Sequence, residues 1–186
     1  LASKVLLLFI ITSSTAQQQS KVSFDHGCRL KSIECISFDP TIVRFNFCFT
    51  KAIADNKASI NFGLQCIKPI IKPLYVQMSI RKKTKENFYQ DFLKTELIEI
   101  CSVMEGAATN PMFKVTLDSI KKTAPMLIHK CSYEGFVNAS NIFINPRIGV
   151  AIPMSGFYKA EFFFYKKSKT PLGRLRFDLE FNRNWV

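Results

Sequence analysis

Six cysteines and two histidines are the residues of this chain whose types could support covalent or metal chemistry. No two cysteines are spaced as C-x-x-C, and His26 and His129 are the only histidines. The ligand spacings that a structural zinc site usually needs are therefore missing, and we expect neither a metal site nor a cofactor. An even number of cysteines in an exported chain is instead typical of disulfides. Six cysteines allow fifteen pairings, which the sequence leaves open; they are Cys28, Cys35, Cys48, Cys66, Cys101 and Cys131.

A catalytic centre has little support in the sequence. His129 would need a nucleophile and an orienting acid, but it lies two residues from Cys131, which favours a structural role. Glu105 and Asp118 are better explained as solvated or cap-related carboxylates than as an acid–base pair. The chain has no G-x-S-x-G motif, the nucleophile elbow of many hydrolases. We predict that the protein is not an enzyme, and a secreted hydrolase is the weakest of three hypotheses.

Residues 1–16 have the pattern of a secretory signal peptide. Lys4 supplies a positive charge, residues 5–11 are apolar, and Ser14-Thr15-Ala16 offers small residues for cleavage after position 16. The apolar run is much shorter than the roughly 17–25 residues of a membrane-spanning helix. We predict that residues 1–16 are removed and that the protein is secreted into the extracellular space. The alternative is a buried N-terminal strand.

The chain is strongly basic, with 26 Lys and Arg against 14 Asp and Glu and a net charge of +12. Removing only Lys4 with the signal peptide leaves +11. This charge favours an anionic surface such as a membrane, a glycan or a nucleic acid. Because no phosphate loop or nucleic-acid motif accompanies it, we predict no nucleic-acid partner. The basic residues are scattered in short runs such as Lys121-Lys122 and Lys166-Lys167, so the simpler interpretation is a solvated basic surface.

Most of the remaining chain alternates apolar and polar residues, which is the period-two pattern of half-buried strands. Residues 96–104 are ambiguous between strand and helix, and residues 127–131 are expected to be extended. In the second strand the alternation places one set of apolar residues on a common face: Val43, Phe45, Phe47 and Phe49. The predicted strands cover residues 30–37, 41–50, 59–67, 74–81, 88–93, 157–166 and 175–181.

One helix is predicted between Cys101 and Cys131. Asn110 can cap its N-terminus, and Pro111 fits its first position, where the missing N–H costs nothing. Apolar residues then recur at helical spacing, at Phe113, Leu117 and Ile120.

Seven or eight short alternating strands with one helix predict a mostly β fold, namely an antiparallel immunoglobulin-like β-sandwich with one inserted helix. After the signal peptide we expect residues 17–34 to form an N-terminal segment and residues 35–186 to form a single sandwich domain. Asn138-Ala139-Ser140 is an N-glycosylation sequon, which in a secreted protein implies a surface position for Asn138.

The order of several short motifs carries a resemblance to a known family. Cys35 and Cys48 precede a long block of strands that ends in Glu99-Ile100-Cys101. Asn110-Pro111 and the predicted helix follow, then His129-x-Cys131-Ser132-Tyr133-x-Gly135, then Pro153-x-x-Gly156-x-Tyr158. This order resembles a family of small secreted insect proteins of unknown function that includes the CheB chemosensory proteins. That family is distantly similar to the ML lipid-recognition domain. The chain departs from the pattern at Glu99, at Ser132 and by one residue inserted before Tyr158.

The resemblance implies two disulfides, Cys101–Cys131 and Cys35–Cys48, and leaves Cys28 and Cys66 as an extra candidate pair. It also implies an ML-like domain that holds a small apolar ligand, such as a lipid or a pheromone, between two sheets, with a membrane receptor or an anionic membrane surface as a further partner. The candidate cavity residues are Phe45, Phe47, Met78, Phe162, Phe164, Phe177 and Leu179.

The alternative function is a closed β-sandwich that binds another protein through its basic exterior and holds no internal ligand. A stripe of Phe residues at strand period packs a closed core more often than it lines a cavity. An internal apolar pocket of about 300 Å³ or more would favour the ligand carrier over the closed module.

Overall fold

The computed structural model describes residues 27–54, 57–105, 118, 120–122, 124–128, 131–143, 154–166 and 169–182. Residues 118 and 120–122 are helical, and Pro125–Leu127 form a 3-10 turn. The remaining elements are β1 (Gly27–Ser37), β2 (Val43–Ala54), β3 (Lys57–Ile70), β4 (Tyr75–Lys83), β5 (Tyr89–Lys94), β6 (Ile98–Glu99), the short helix α1 (Ile100–Met104), β7 (Tyr133–Ile142), β8 (Gly156–Tyr165) and β9 (Pro171–Asn182).

The strands form two antiparallel sheets. The large sheet has the order β1-β9-β8-β4-β5, with β6 paired to one end of β4. The small sheet has the order β2-β3-β7. Apolar residues of both sheets meet between them, as period-two alternation requires. The predicted mostly β, antiparallel sandwich is therefore confirmed.

The two disulfides implied by the resemblance are both formed. Cys35–Cys48 joins β1 of the large sheet to β2 of the small sheet. Cys101–Cys131 joins α1, which follows β6 at the edge of the large sheet, to the residue two positions before β7 of the small sheet. Each disulfide therefore ties one sheet to the other, at a different place in the sandwich.

The third candidate pair, Cys28 with Cys66, is not formed, and this prediction is wrong for the structure. Cys28 lies in β1 opposite Phe181, whereas Cys66 lies in β3 opposite Val43. The two thiols therefore belong to strands of different sheets, and both are free. Burial raises the pKa of Cys28 to about 12 and also raises the pKa of Cys66, so both thiols are protonated at neutral pH.

Three further expectations need correction. β1 begins at Gly27 and pairs with β9, so the domain includes residues 27–34, which were expected to form a separate segment. Leu127 lies in a 3-10 turn rather than an extended segment. β7 is a strand that the alternation pattern does not predict, because its Gly, Asn and Ser residues have low strand propensity.

The ambiguous stretch 96–104 divides into two elements, β6 followed by α1. The predicted signal peptide, His129 and most of the predicted helix from Asn110 lie outside the described residues. No helix within the described ranges is long and apolar enough to cross a membrane.

Candidate functional site: an apolar cavity between the sheets

An apolar cavity of about 350 Å³ lies between the inner faces of the two sheets. Its walls come from β2, β3 and β7 of the small sheet, from β4, β8 and β9 of the large sheet, and from α1. None of the described lining residues is charged. The volume exceeds the roughly 300 Å³ at which binding pockets for small molecules begin.

The buried core consists of two clusters, and the cavity borders both of them. One cluster of buried side chains surrounds Val76, Cys101 and Leu172, and a second surrounds Phe62, Tyr158 and Leu179. Residues of both clusters line the cavity. The inner faces of the two sheets therefore do not interdigitate along their whole length, as they would in a sandwich packed to normal density.

Six of the seven predicted cavity residues line this space. Met78 in β4 and Leu179 in β9 are buried, and the four predicted phenylalanines are half-buried. Three of these four rings take part in two edge-to-face contacts. Phe162 meets Phe177 at a centroid distance of 5.8 Å, and Phe45 meets Phe62 at 6.4 Å. The six lining residues are Phe45, Met78, Phe162, Phe164, Phe177 and Leu179.

Phe47 is the predicted residue that the cavity does not include. The pairing of β2 with β3 shifts by one residue between Phe45 and Phe47, which is a β-bulge at Asn46. A shift of one residue turns every following side chain to the other face of the sheet. The ring of Phe47 therefore contacts Phe49 and Phe136 on the outer face.

Tyr133 supplies the one polar side-chain group among the described lining residues. Its hydroxyl donates to the backbone carbonyl of Leu127 at 3.3 Å and lies 3.1 Å from the sulfur of Met104. Burial raises the pKa of Tyr133 to about 12, so the phenol stays neutral. A ligand inside the cavity would therefore meet hydrocarbon and aromatic surface and one neutral hydroxyl that already has an acceptor.

Helix α1 forms one end of the cavity through Ile100 and Met104, and Glu99 holds this helix in place. The Glu99 carboxylate accepts from the backbone N–H groups of Cys101 at 3.2 Å and Ser102 at 2.6 Å. It also accepts from the N–H of Leu74, which precedes β4. Glu99 therefore connects the first turn of α1 to the large sheet, directly beside the disulfide cysteine Cys101.

Phe143, which follows β7, lines the cavity and is also exposed to solvent. Phe143 is 43% exposed, and the other described lining residues are buried or half-buried. Ile120, Leu127 and Ile128 line the same space and are half-buried.

Sequence reasoning did not select several lining residues. Val137 and Ile142 belong to β7, whose polar composition hides the strand. Ile100 and Met104 belong to the stretch that was ambiguous between strand and helix. Ile60 and Leu64 of β3 could have been selected, because the same alternation that selects Met78 places them on an inner face.

A second depression, of about 370 Å³, lies on the outer face of the large sheet and has a different character. Its centre is the carboxylate of Glu161, which is only 3% exposed. Arg81 donates to Glu161 at 2.6 Å, and Arg174 lies 3.2 Å from its other oxygen. Because these two guanidinium groups already share a buried carboxylate, the depression is explained as part of the ion-pair network of this face.

Within the described residues, no group of three or more His, Cys, Asp or Glu side chains could hold a metal ion. A scan against protein-family models finds no match to the chain. A search of curated proteins likewise finds no significant match. The resemblance to the CheB and ML-like proteins therefore stays a prediction from the motifs.

Proposed function

We propose that the protein is a secreted, non-enzymatic binding protein that holds a small apolar ligand, such as a lipid or a pheromone-like hydrocarbon, between its two sheets. The observation that carries the proposal is the apolar cavity of about 350 Å³. The mechanism is enclosure and release, without a covalent step. The two disulfides support it, because they tie the sheets together on either side of the space that a ligand would occupy.

Burial of hydrocarbon would drive binding. Each CH₂ group removed from water contributes about 0.8 kcal/mol, so a chain of ten would contribute roughly 8 kcal/mol before the cost of association. An ionised headgroup placed deep in the cavity would lose its hydration, and no charged side chain among the described lining residues would compensate for that loss. The ligand is therefore expected to bury an uncharged apolar end and to leave any charged group in contact with water.

Secretion is proposed from three concurring features. The signal-peptide pattern of residues 1–16 is one. Two disulfides are the second, because such bonds persist in oxidising compartments. An exposed sequon asparagine, Asn138, is the third. A membrane receptor or an anionic membrane surface is a further proposed partner, supported by the net charge of +12.

The motif order supports placing this binding protein among the CheB and ML-like proteins and assigning it to chemosensation. The alternative, a closed sandwich that binds a partner through its basic exterior, requires a solid core. The divided core and its cavity favour the carrier over this alternative.

Ligand binding can be tested with a cavity-filling variant and a matched surface variant. Ala160 in β8 lines the cavity, whereas Ala52 in β2 is exposed. We expect a fluorescent fatty-acid probe to bind the parent protein and A52F alike, and to bind A160F at least about tenfold more weakly. Organic extraction of protein purified under native conditions, followed by mass spectrometry, identifies the resident ligand. Failure to bind any apolar probe, together with a blank extract, would overturn the proposal.

A further inference from the structure

A patch of aromatic rings, formed by Phe47, Phe49 and Phe136, lies on the outer face of the small sheet. Phe49 and Phe136 are each 49% exposed. The ring centroids of Phe47 and Phe49 are 5.9 Å apart, and those of Phe47 and Phe136 are 6.4 Å apart. The cavity does not use these rings, because they point away from it. Exposed apolar surface of this kind usually has an occupant.

The rings close over Gly63, which lies in the central strand of the small sheet. A Cβ atom added to Gly63 would lie 2.5 Å from Cε1 of Phe47 and 2.8 Å from Cζ of Phe136. Rings from both flanking strands, β2 and β7, therefore meet above this glycine. The absence of a side chain at Gly63 is what lets the patch form a continuous apolar surface.

Asn138 stands at the margin of this aromatic patch. It is the register partner of Gly63, across the pair β3–β7. It follows Phe136 by two residues in β7, so both side chains lie on the outer face, and both are exposed. The hydroxyl of Ser140 donates to Oδ1 of Asn138 at 2.7 Å. This bond engages the amide oxygen and leaves Nδ2, the atom to which a glycan attaches, as the group to be modified.

We infer that an N-linked glycan on Asn138 covers the aromatic patch, with its first N-acetylglucosamine packed against the ring of Phe136. Attachment replaces one N–H of Nδ2 by a bond to the anomeric carbon of the sugar. The oligosaccharide comes from a lipid-diphosphate donor of the secretory pathway, and the diphosphate leaves as the amide proton is lost. The inference rests on the export that the proposed function includes.

The glycan fits this surface better than a separate partner does. The C–H groups of one pyranose face present the apolar surface that an aromatic face accepts. A sugar attached two residues from Phe136 meets the ring without the entropy cost of association that a free partner must overcome. The aromatic patch and the sequon are thus explained by one occupant.

The test compares glycosylated and deglycosylated forms of the full chain, secreted from insect cells. An amidase removes the whole glycan, and an endoglycosidase leaves the first N-acetylglucosamine. We expect amidase treatment to lower the Tm by roughly 2–4 °C, the shift that one aromatic contact gives a chain of this length. Endoglycosidase treatment keeps the first N-acetylglucosamine, so we expect it to change the Tm only slightly.

The variant F136L removes the ring and keeps an apolar side chain, and F88L is its control, because Phe88 is 54% exposed in the loop before β5. We expect the effect of the amidase to disappear in F136L and to persist in F88L. Upfield-shifted sugar protons in the NMR spectrum of the parent protein provide a second readout that needs no variant.

Three outcomes would overturn the inference. An exported chain whose Asn138 is unmodified is the first. A glycan with the same effect on the Tm in F136L as in F88L, with unshifted sugar protons, is the second. Failure of export is the third, and it also removes the secretion part of the proposed function. Loss of probe binding, in contrast, concerns the cavity alone.

Discussion

The rings of Phe45 and Phe47 lie on opposite faces of the small sheet, although only Asn46 separates them in β2. Phe45 lines the cavity and contacts the buried Phe62, whereas Phe47 belongs to the outer aromatic patch. The β-bulge at Asn46 is the cause. The same bulge turns Cys48 toward the large sheet, where it bonds to Cys35. The extra residue Asn46 therefore decides which side chains of β2 face the cavity, which belong to the aromatic patch and which forms the disulfide.

We expect alanine substitutions at these two positions to have different effects. F45A removes a ring from the cavity wall and should lower the free energy of unfolding by roughly 2 kcal/mol, less than the ~3–5 kcal/mol of a fully buried Phe. It should also weaken binding of a fatty-acid probe roughly tenfold, which corresponds to a loss of about 1.4 kcal/mol.

F47A should cost roughly 1 kcal/mol, because the half-buried ring loses its contacts with Phe49 and Phe136, and it should leave probe affinity unchanged. Urea denaturation and fluorescence titration on both variants check the pair. Equal losses of probe affinity in F45A and F47A would mean that the two rings lie on the same face of the sheet and that no β-bulge separates them.

The strands in which apolar and polar residues alternate regularly could be predicted from the sequence. Three strands of the large sheet, β4, β8 and β9, alternate without interruption across the cavity, and their inner residues Met78, Phe162 and Phe177 were identified correctly. The bulge in β2 could not be predicted, because a period-two pattern gives no sign of where the register of its partner shifts.

The two other gaps in the prediction have their own causes. The strand β7 contains Gly135, Asn138 and Ser140, so tertiary pairing with β3 overrides its weak strand propensity. The alternation pattern of a single strand cannot predict a cavity in the core, because the same row of Phe residues would also fill a closed sandwich. The candidate residues could therefore be named from the sequence, but the space between them could not.

The buried carboxylate of Glu161 should be the most sensitive charged position on the outer face of the large sheet. It is 3% exposed and joins Arg81 to Arg174. Replacing one member of a buried ion pair leaves the remaining charges uncompensated, which costs roughly 3–5 kcal/mol. Because Arg81 is 34% exposed and can turn to solvent, we expect E161Q to cost about 3 kcal/mol.

Glu180 offers the matched control for this experiment. It pairs with Lys31 at 2.7 Å, but Lys31 is 42% exposed, and pairs of this kind are worth about 0–1 kcal/mol. Urea midpoints of E161Q and E180Q compare the two positions. Similar losses in both variants would show that burial of the Glu161 carboxylate carries no special cost.

Glu99 should make the stability of the protein depend on pH at the acidic end. Burial by itself would raise the pKa of the Glu99 carboxyl, but hydrogen bonds from Ser102, Leu74 and Cys101 outweigh burial and hold the pKa below its ordinary value. The stabilisation is therefore fully present above the ordinary Glu pKa of about 4.3 and is lost as pH falls through the lowered value.

We expect E99Q to lower the free energy of unfolding at pH 7 by about 1 kcal/mol, the usual worth of a helix N-cap. The difference from the parent protein should shrink as pH falls below the ordinary Glu pKa of about 4.3 and vanish once Glu99 is protonated in the folded protein. Glu96 is exposed in the segment between β5 and β6, and E96Q serves as the control with little effect at either pH. A deficit of E99Q that is independent of pH would contradict this account.

The free thiol of Cys28 should be almost unreactive in the folded protein. Burial raises its pKa from 9.0 to about 12, and only the thiolate reacts with an alkylating reagent. At pH 8 the thiolate fraction is about a thousandfold below that of an exposed cysteine, and alkylation should slow in proportion. Mass spectrometry of the iodoacetamide-treated protein, native and in urea without reductant, measures this ratio. Rapid labelling of Cys28 in the native protein would place the thiol at the surface.

The disulfide Cys101–Cys131 should matter more for the cavity than Cys35–Cys48, although the two bonds are expected to contribute similarly to stability. Their sequence separations of 30 and 13 residues correspond to about 3.6 and 2.9 kcal/mol on the chain-entropy model. The two disulfides differ in their position relative to the cavity. Cys101–Cys131 anchors α1, whose residues Ile100 and Met104 line the cavity.

We therefore expect the double variant C101A/C131A to lose most of its affinity for a fatty-acid probe under conditions where it is still folded. The variant C35A/C48A should lose a similar free energy of unfolding but retain the greater part of its probe affinity, because α1 remains attached to β7. Thermal unfolding and probe titration on both variants separate stability from binding. Equal affinities in the two variants would mean that α1 keeps its position without the disulfide, through the hydrogen bonds of Glu99 and Ile100 to the segment before β4.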